Sequence, residues 1–348
     1  MGPENSKLST YLRVLSYSVL AFTLAFLINN LFTVWGGWPG IKKVFSHDDL
    51  FGYKQISLES SDLTYGYIQI LIYVVCILSV IFYVFKTYSQ TLVDDSKILS
   101  KFSAYLIRGS FWAVFLVGLA DFIISFMVVE RLWEAIFSPE VKAFMVKAPE
   151  RITYIHFPII LVSFIIGYFT KSVGFIWLAV LVVLSEFVIV LSRFVFSYEQ
   201  AFQGDLVRFW YAALYLFASA YALIHEGHVR VDVLYSSFSE KKKAWTNMVG
   251  SALLGVPLCL IVLFLGLNGK ASIINGPVVA FEVTQQGPNG LYLLYLMAVY
   301  LAVFAVTMLL QFTSYFMSSS HKIIFNNIED QTQSDNPDQV RLEKVESN

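Results

Sequence analysis

The chain has 348 residues, of which 57% are apolar and only 14% charged; soluble domains run at roughly 45–50% and about 25%, so a water-soluble globular protein is excluded. The formal charge is −1, which leaves no global field to gather nucleic acid or an acidic substrate. Its two cysteines, Cys76 and Cys259, lie inside apolar stretches without metal-ligand spacing and read as small buried hydrophobes, not as a disulfide or zinc site.

A hydrocarbon core near 30 Å needs about 20 apolar residues at 1.5 Å each. Eight stretches meet this, at about 10–35, 63–85, 104–129, 152–170, 173–196, 207–225, 245–268 and 291–316. The expected fold class is all-α, a polytopic helical membrane protein with about eight transmembrane helices. No cleavage site of small residues follows the first span, so it is expected to stay as an anchor. Residues 36–62 and 131–151 are long enough to carry structure of their own. Within 133–149, Trp133, Ile136, Phe137, Val141, Phe144, Met145 and Val146 are mixed with Glu134, Glu140, Lys142 and Lys147, the composition of a helix lying in the membrane interface.

Residues 152–196 are almost continuously apolar, and one helix of that length would be roughly 67 Å long, too long for a single crossing. Thr170, Lys171, Ser172 and Gly174 place a tight turn between the fourth and fifth spans. Between the sixth and seventh, residues 226–245 form a short charged loop in which Val229, Val231, Val233 and Leu234 alternate with His228, Arg230 and Asp232 before Lys241, Lys242 and Lys243. That pattern suits a segment at headgroup level. The seventh span holds Gly250, Gly255 and Pro257, which predict a kink. Residues 326–348 are polar, lack an apolar period and are expected to be a disordered tail. Trp35, Trp38, Trp112, Trp133, Trp177, Trp210 and Trp245 sit at span ends and read mostly as interface anchors.

With both termini inside, fourteen of the 24 Lys and Arg residues fall on the cytoplasmic side, concentrated in short loops. Density in short loops sets orientation, so both termini are expected to be cytoplasmic.

No phosphate loop, nucleophile elbow or spaced acid pair is present, so no catalytic site and no cofactor are expected. His225, Glu226 and His228 have the wrong spacing for the helical zinc motif, and no metal is expected there. Two acids lie inside spans, Asp121 in the third and Glu186 near the middle of the fifth. A charge there costs on the order of 3 kcal/mol on insertion scales. Each acid reads either as part of an ion path or, more simply, as a fastener between helices. Arg193, Asp205 and Arg208 flank the outer hairpin between the fifth and sixth spans, where snorkelling and pairing across the hairpin are expected, with Asp205 placed favourably near a helix N-terminus.

From about residue 172 to 316 the chain resembles the small membrane subunit (Q-type) of TRAP (tripartite ATP-independent periplasmic) transporters, in the mannitol/chloroaromatic-type branch. Trp177-Leu178 and Arg193-Phe194-Val195-Phe196 bracket the first family span, Asp205 precedes the second, and HVRVDVLYSSFSEKKKAW at 228–245 resembles the family's HVRVD-x-x-Y with a basic run and A-W. Gly250, Pro257, Cys259 and Gln311 follow in order. Unlike the family pattern, Gly290-Leu291 is followed by Tyr292, Leu293, Leu294 and Tyr295 with no Lys or Arg.

The resemblance implies a scaffold that holds a large transporting membrane subunit in the lipid bilayer of the bacterial inner membrane. It also implies help in docking a periplasmic substrate-binding protein during sodium-coupled uptake of a small organic anion. Arg193, Asp205 and Arg208, with His228, Arg230 and Asp232, would then serve structural or partner contacts. The first 170 residues are a four-span extension absent from the usual subunit. The intervals from Asp62 to Arg108 and from Asp205 to Gly250, 46 and 45 residues, raise the idea of a diverged internal repeat. A free-standing transporter using Asp121 and Glu186, or a membrane anchor for a redox complex, are the rival readings.

Overall fold

The computed structural model describes residues 7–49, 56–170, 175–195, 197–198, 200–224, 235–284 and 290–334. Among them the only regular elements are helices: α1 (Lys7–Val34), α2 (Ile41–His47), α3 (Ser60–Lys86), α4 (Leu92–Val129), α5 (Trp133–Ile136), α6 (Pro139–Met145), α7 (Ala148–Arg151), α8 (Phe157–Phe169), α9 (Phe175–Phe194), α10 (Ala201–Ile224), α11 (Glu240–Gly250), α12 (Val256–Gly266), α13 (Asn275–Val279) and α14 (Leu294–Ser334). A π-helical turn at Ile152–His156 joins α7 to α8, and another at Ser251–Gly255 joins α11 to α12.

Seven helical stretches among the described residues are long and apolar enough to cross a membrane: Lys7–Val34, Ser60–Lys86, Leu92–Val129, Ala148–Phe169, Ile176–Phe194, Glu240–Gly266 and Leu294–Ile324. α10 takes the place of the sixth expected span. Its 24 residues reach about 36 Å. α8 ends at Phe169 with Thr170 extended, so the helix stops at the expected break; residues 171–174, where the tight turn was expected, lie outside the described residues.

α4 and α14 run antiparallel through the centre. Ser96 Oγ lies 3.0 Å from Ser314 Oγ, and Ser103 Oγ donates to the Thr307 carbonyl at 3.0 Å, so two hydroxyl contacts fasten the pair without a charge. α4 begins a dozen residues before the expected span. Thr91 Oγ1 accepts from the Asp94 N–H while the Asp94 carboxylate accepts from the Thr91 N–H, a reciprocal cap that starts the helix outside the apolar stretch. Contrary to the expected disordered tail from Asn326, α14 continues to Ser334, and residues 335–348 lie outside the described residues. The polar residues there include no Gly or Pro before Pro337, and extending an established helix costs far less than starting one.

α8 crosses α4 at a pair of glycines. A β-carbon on Gly167 would sit 2.8 Å from the Gly109 backbone, and one on Gly109 would meet the Phe164 ring at 2.4 Å. Small residues let two helix backbones approach closely where no hydrophobic force drives them together. Because backbone has nowhere to give, Gly167→Val is expected to cost about 1–3 kcal/mol or more, read as a lower unfolding temperature in mild detergent. Gly204→Ala, on helical backbone with nothing near its β-carbon, is the control and should lose nothing.

α10 packs on α4, α9 and α14, and α9 lies outermost, resting mainly on α10. The main apolar core joins Phe111, Val114 and Val117 of α4 to Phe209, Ala213 and Phe217 of α10 and Tyr295 and Tyr300 of α14. The N-terminal bundle and the later helices therefore share one core. Two tryptophans expected at the interface are instead interior: Trp133 is 4% exposed, and Trp210, 5% exposed, donates its indole N–H to the Val114 carbonyl at 3.2 Å. At Trp210 the carbonyl within reach explains the inward turn; Trp133 instead packs on the Phe137 ring at 4.5 Å, and its indole N–H has no partner among the described residues.

The first hairpin, α1 and α3, is tied by Gln69, whose amide donates to Thr33 Oγ1 at 3.0 Å and accepts from the Gly40 N–H at 2.9 Å. Residues 133–149 form three short helices rather than one, because Pro139 and Pro149 each open a new helix at its first turn. The Lys142 ammonium lies 2.5 Å from Glu134 Oε1, and that hydrogen bond holds the exposed carboxyl below its ordinary range.

Candidate functional site

Asp121 sits on α4 at 0% exposure, level with the start of α14. Its Oδ1 accepts from Arg151 Nη2 at 2.7 Å and lies 3.0 Å from His156 Nε2. Its Oδ2 accepts the Tyr292 backbone N–H at 2.7 Å. Arg151 Nη2 also donates to the Asp121 carbonyl at 2.6 Å and to Ser125 Oγ at 2.9 Å, and the guanidinium lies over the Tyr292 ring at 4.3 Å. His156 Nδ1 is 3.1 Å from the Tyr295 hydroxyl. A carboxylate engaged from three directions ties α4, the α7–α8 segment and α14 into one cluster.

Local backbone explains how Arg151 and His156 reach the same carboxylate. Residues five apart on a regular α-helix point about 140° away from each other. The π-turn at Ile152–His156, closed by the Phe157 N–H on the Ile152 carbonyl, widens that interval and turns both toward α4. Pro158 follows two residues later, and Pro257 follows the second π-turn at the same offset. A proline ring clashes with the carbonyl four residues back, and a wider turn relieves the clash. The kink expected in the seventh span is thus a π-turn, with Gly255 placed so that a β-carbon would meet the Phe312 ring at 2.5 Å. In the sequence Arg151 closes the 131–151 segment and His156 lies just inside the fourth span, and their position five residues apart around a π-turn carries no distinct signal.

Asp205, on α10 and 2% exposed, turns across the bundle instead of pairing along its hairpin. Its carboxylate accepts from the Leu291 N–H at 3.5 Å, while the Leu291 carbonyl accepts from the Thr284 N–H at 2.8 Å and Thr284 Oγ1 at 2.6 Å. Asp205 therefore anchors the lead-in to α14. Arg208, one turn further along α10, and Arg193, at the end of α9, are both exposed. The loop between α9 and α10 is held by Glu130, at the end of α4: Tyr198 donates its hydroxyl to Glu130 Oε1 at 2.6 Å, and Gln200 Nε2 donates to the same carboxylate. Asp205→Ala is expected to cost about 1–3 kcal/mol by leaving a buried N–H unpaired, seen as faster hydrogen exchange at Leu291, whereas Asp205→Asn keeps an acceptor and loses less.

Glu186 is exposed on the outward side of α9, so the structure does not bring it to Asp121. His228, Arg230 and Asp232, together with His225 and Glu226, lie outside the described residues. The adjoining α11 starts on a Ser239 cap, and Tyr235 and Asn247 bond to each other at 2.9 Å.

These elements define a multi-pass helical membrane protein. Residues 182–318, from the middle of α9 to α14, match the family described as tripartite ATP-independent periplasmic transporters, DctQ component. No curated protein and no solved structure matches the chain.

Proposed function

We propose that this chain is the small membrane subunit of a TRAP transporter, of the mannitol/chloroaromatic-type branch, in the bacterial inner membrane with both termini cytoplasmic. Residues 171–325 form the small-subunit domain, 1–170 a four-span extension and 326–348 a cytoplasmic tail. The subunit holds the large transporting subunit in the bilayer and contributes to docking of the periplasmic substrate-binding protein, in sodium-coupled uptake of a small organic anion. Arg193, Asp205 and Arg208 serve the outer hairpin, and His228, Arg230 and Asp232 the cytoplasmic one, as structural or partner contacts.

The family match over 182–318 carries this reading. The fate of Asp121 supports a scaffold over a free-standing carrier, since its carboxylate is already engaged by Arg151, His156 and Tyr292. The test is purification of the chain from native membranes in mild detergent with mass spectrometry of its partners, followed by uptake assays in liposomes. Co-purification of a large TRAP subunit, with uptake only when both subunits and the binding protein are present, is the expected result. A homo-oligomer that transports alone would overturn it.

A further inference from the structure

Glu186 stands about 16 Å along α9 from its start, close to the middle of a 20-residue helix. The buried side of α9, Leu178, Val182 and Ser185, joins the bundle, and the Ser185 hydroxyl is taken by the Leu181 carbonyl of its own helix. Glu186 lies outside that seam, on a stripe with Val183 and Val190, which are 66% and 48% exposed, and beside Phe187, which is 55% exposed. It makes no hydrogen bond or ion pair among the described residues. An acid at this depth, ringed by exposed apolar side chains and without a partner among the described residues, calls for a counter-group.

Lipid tails offer no donor. A second copy related by a two-fold axis through this stripe would bring Glu186 toward its own equivalent, placing like charges together in a poorly solvated setting. The adjacent helix of the hairpin, α10, also turns polar groups outward: Tyr211 and Tyr215 are exposed, and their hydroxyls bond to each other at 2.9 Å. The Glu186 stripe is therefore ill suited to lipid and suited to a protein helix that carries matching polar chemistry.

We infer that the Glu186 face of α9 docks a membrane helix of the large transporter subunit bearing a lysine or arginine at mid-membrane depth. This rests on the small-subunit reading above and adds to it the face and the partner's chemistry. Desolvation on both sides makes such a pair selective, because removing one partner leaves the other charge stranded.

The test places a benzophenone amino acid at Val183 or Phe187, with Glu186 intact, irradiates native membranes and maps the adduct by mass spectrometry. The expected product joins α9 to one helix of the large subunit within a turn of a lysine or arginine. Glu186→Lys, monodisperse and with an unchanged unfolding temperature, should retain less than a tenth of the large subunit, and changing the mapped basic residue to glutamate should restore it. Adducts only to lipid or to a second copy, or wild-type recovery of the large subunit by Glu186→Lys, would overturn the assignment of this face while leaving the small-subunit reading intact. If the wild-type chain brings down no large subunit, both fall.

Discussion

Asp121→Ala is expected to destabilise the folded bundle by about 3–5 kcal/mol, the largest effect of any single change. The reason is the company the carboxylate keeps. Arg151 is 1% exposed and His156 is fully buried, so losing Asp121 strands a guanidinium in a dry interior and frees the Tyr292 N–H as well. Thermal unfolding in mild detergent measures the loss. Asp121→Asn, which keeps an acceptor but no charge, should fall between. The double variant Asp121→Leu with Arg151→Met should recover most of the stability, since an apolar pair of similar volume often replaces a buried ion pair at little cost. An unchanged unfolding temperature for Asp121→Ala would show that the cluster is not a fastener.

Asp95→Ala should cost nearly as much, about 3 kcal/mol or more, and for a related reason at the other end of α4. Arg13 of α1, 2% exposed, places Nε 2.5 Å from Asp95 Oδ2. Its Nη1 and Nη2 donate to the carbonyl and hydroxyl of Thr87, each at 2.9 Å. The guanidinium therefore clamps the first helix to the turn between α3 and α4. Arg13→Leu and Asp95→Ala should each raise hydrogen exchange along α1, and the double variant should lose clearly less than the sum of the two. Additive losses would mean that the two side chains stabilise the protein separately.

Most crossings were legible because hydropathy over about 20 residues is a strong, local signal. The sixth, at 207–225, falls on α10, with Asp205 just before it and Arg208 at its start. Pairings were not legible. Arg13 and Arg151 lie near span ends, where nothing in the sequence marks them, yet each is buried against an acid on α4, and an ion pair between residues 82 or 30 apart has no local pattern. The expected interface helix at 133–149 overlooked the starts imposed by Pro139 and Pro149. Glu186 was legible as an intramembrane acid, but which way it faced depended on the packing of α9 against α10.

The two buried clusters also differ in when they become possible during synthesis. Arg13 enters the bilayer early and must wait for Asp95, 82 residues later, a delay of roughly 4–16 s at typical elongation rates. Its place near the start of the first helix lets it rest among the headgroups meanwhile. Asp121 meets Arg151 and His156 only 30 and 35 residues on, whereas the Tyr292 N–H arrives 171 residues later. The first four crossings can thus neutralise their own deep charges while still on the ribosome, and the late helix α14 closes onto a site already settled.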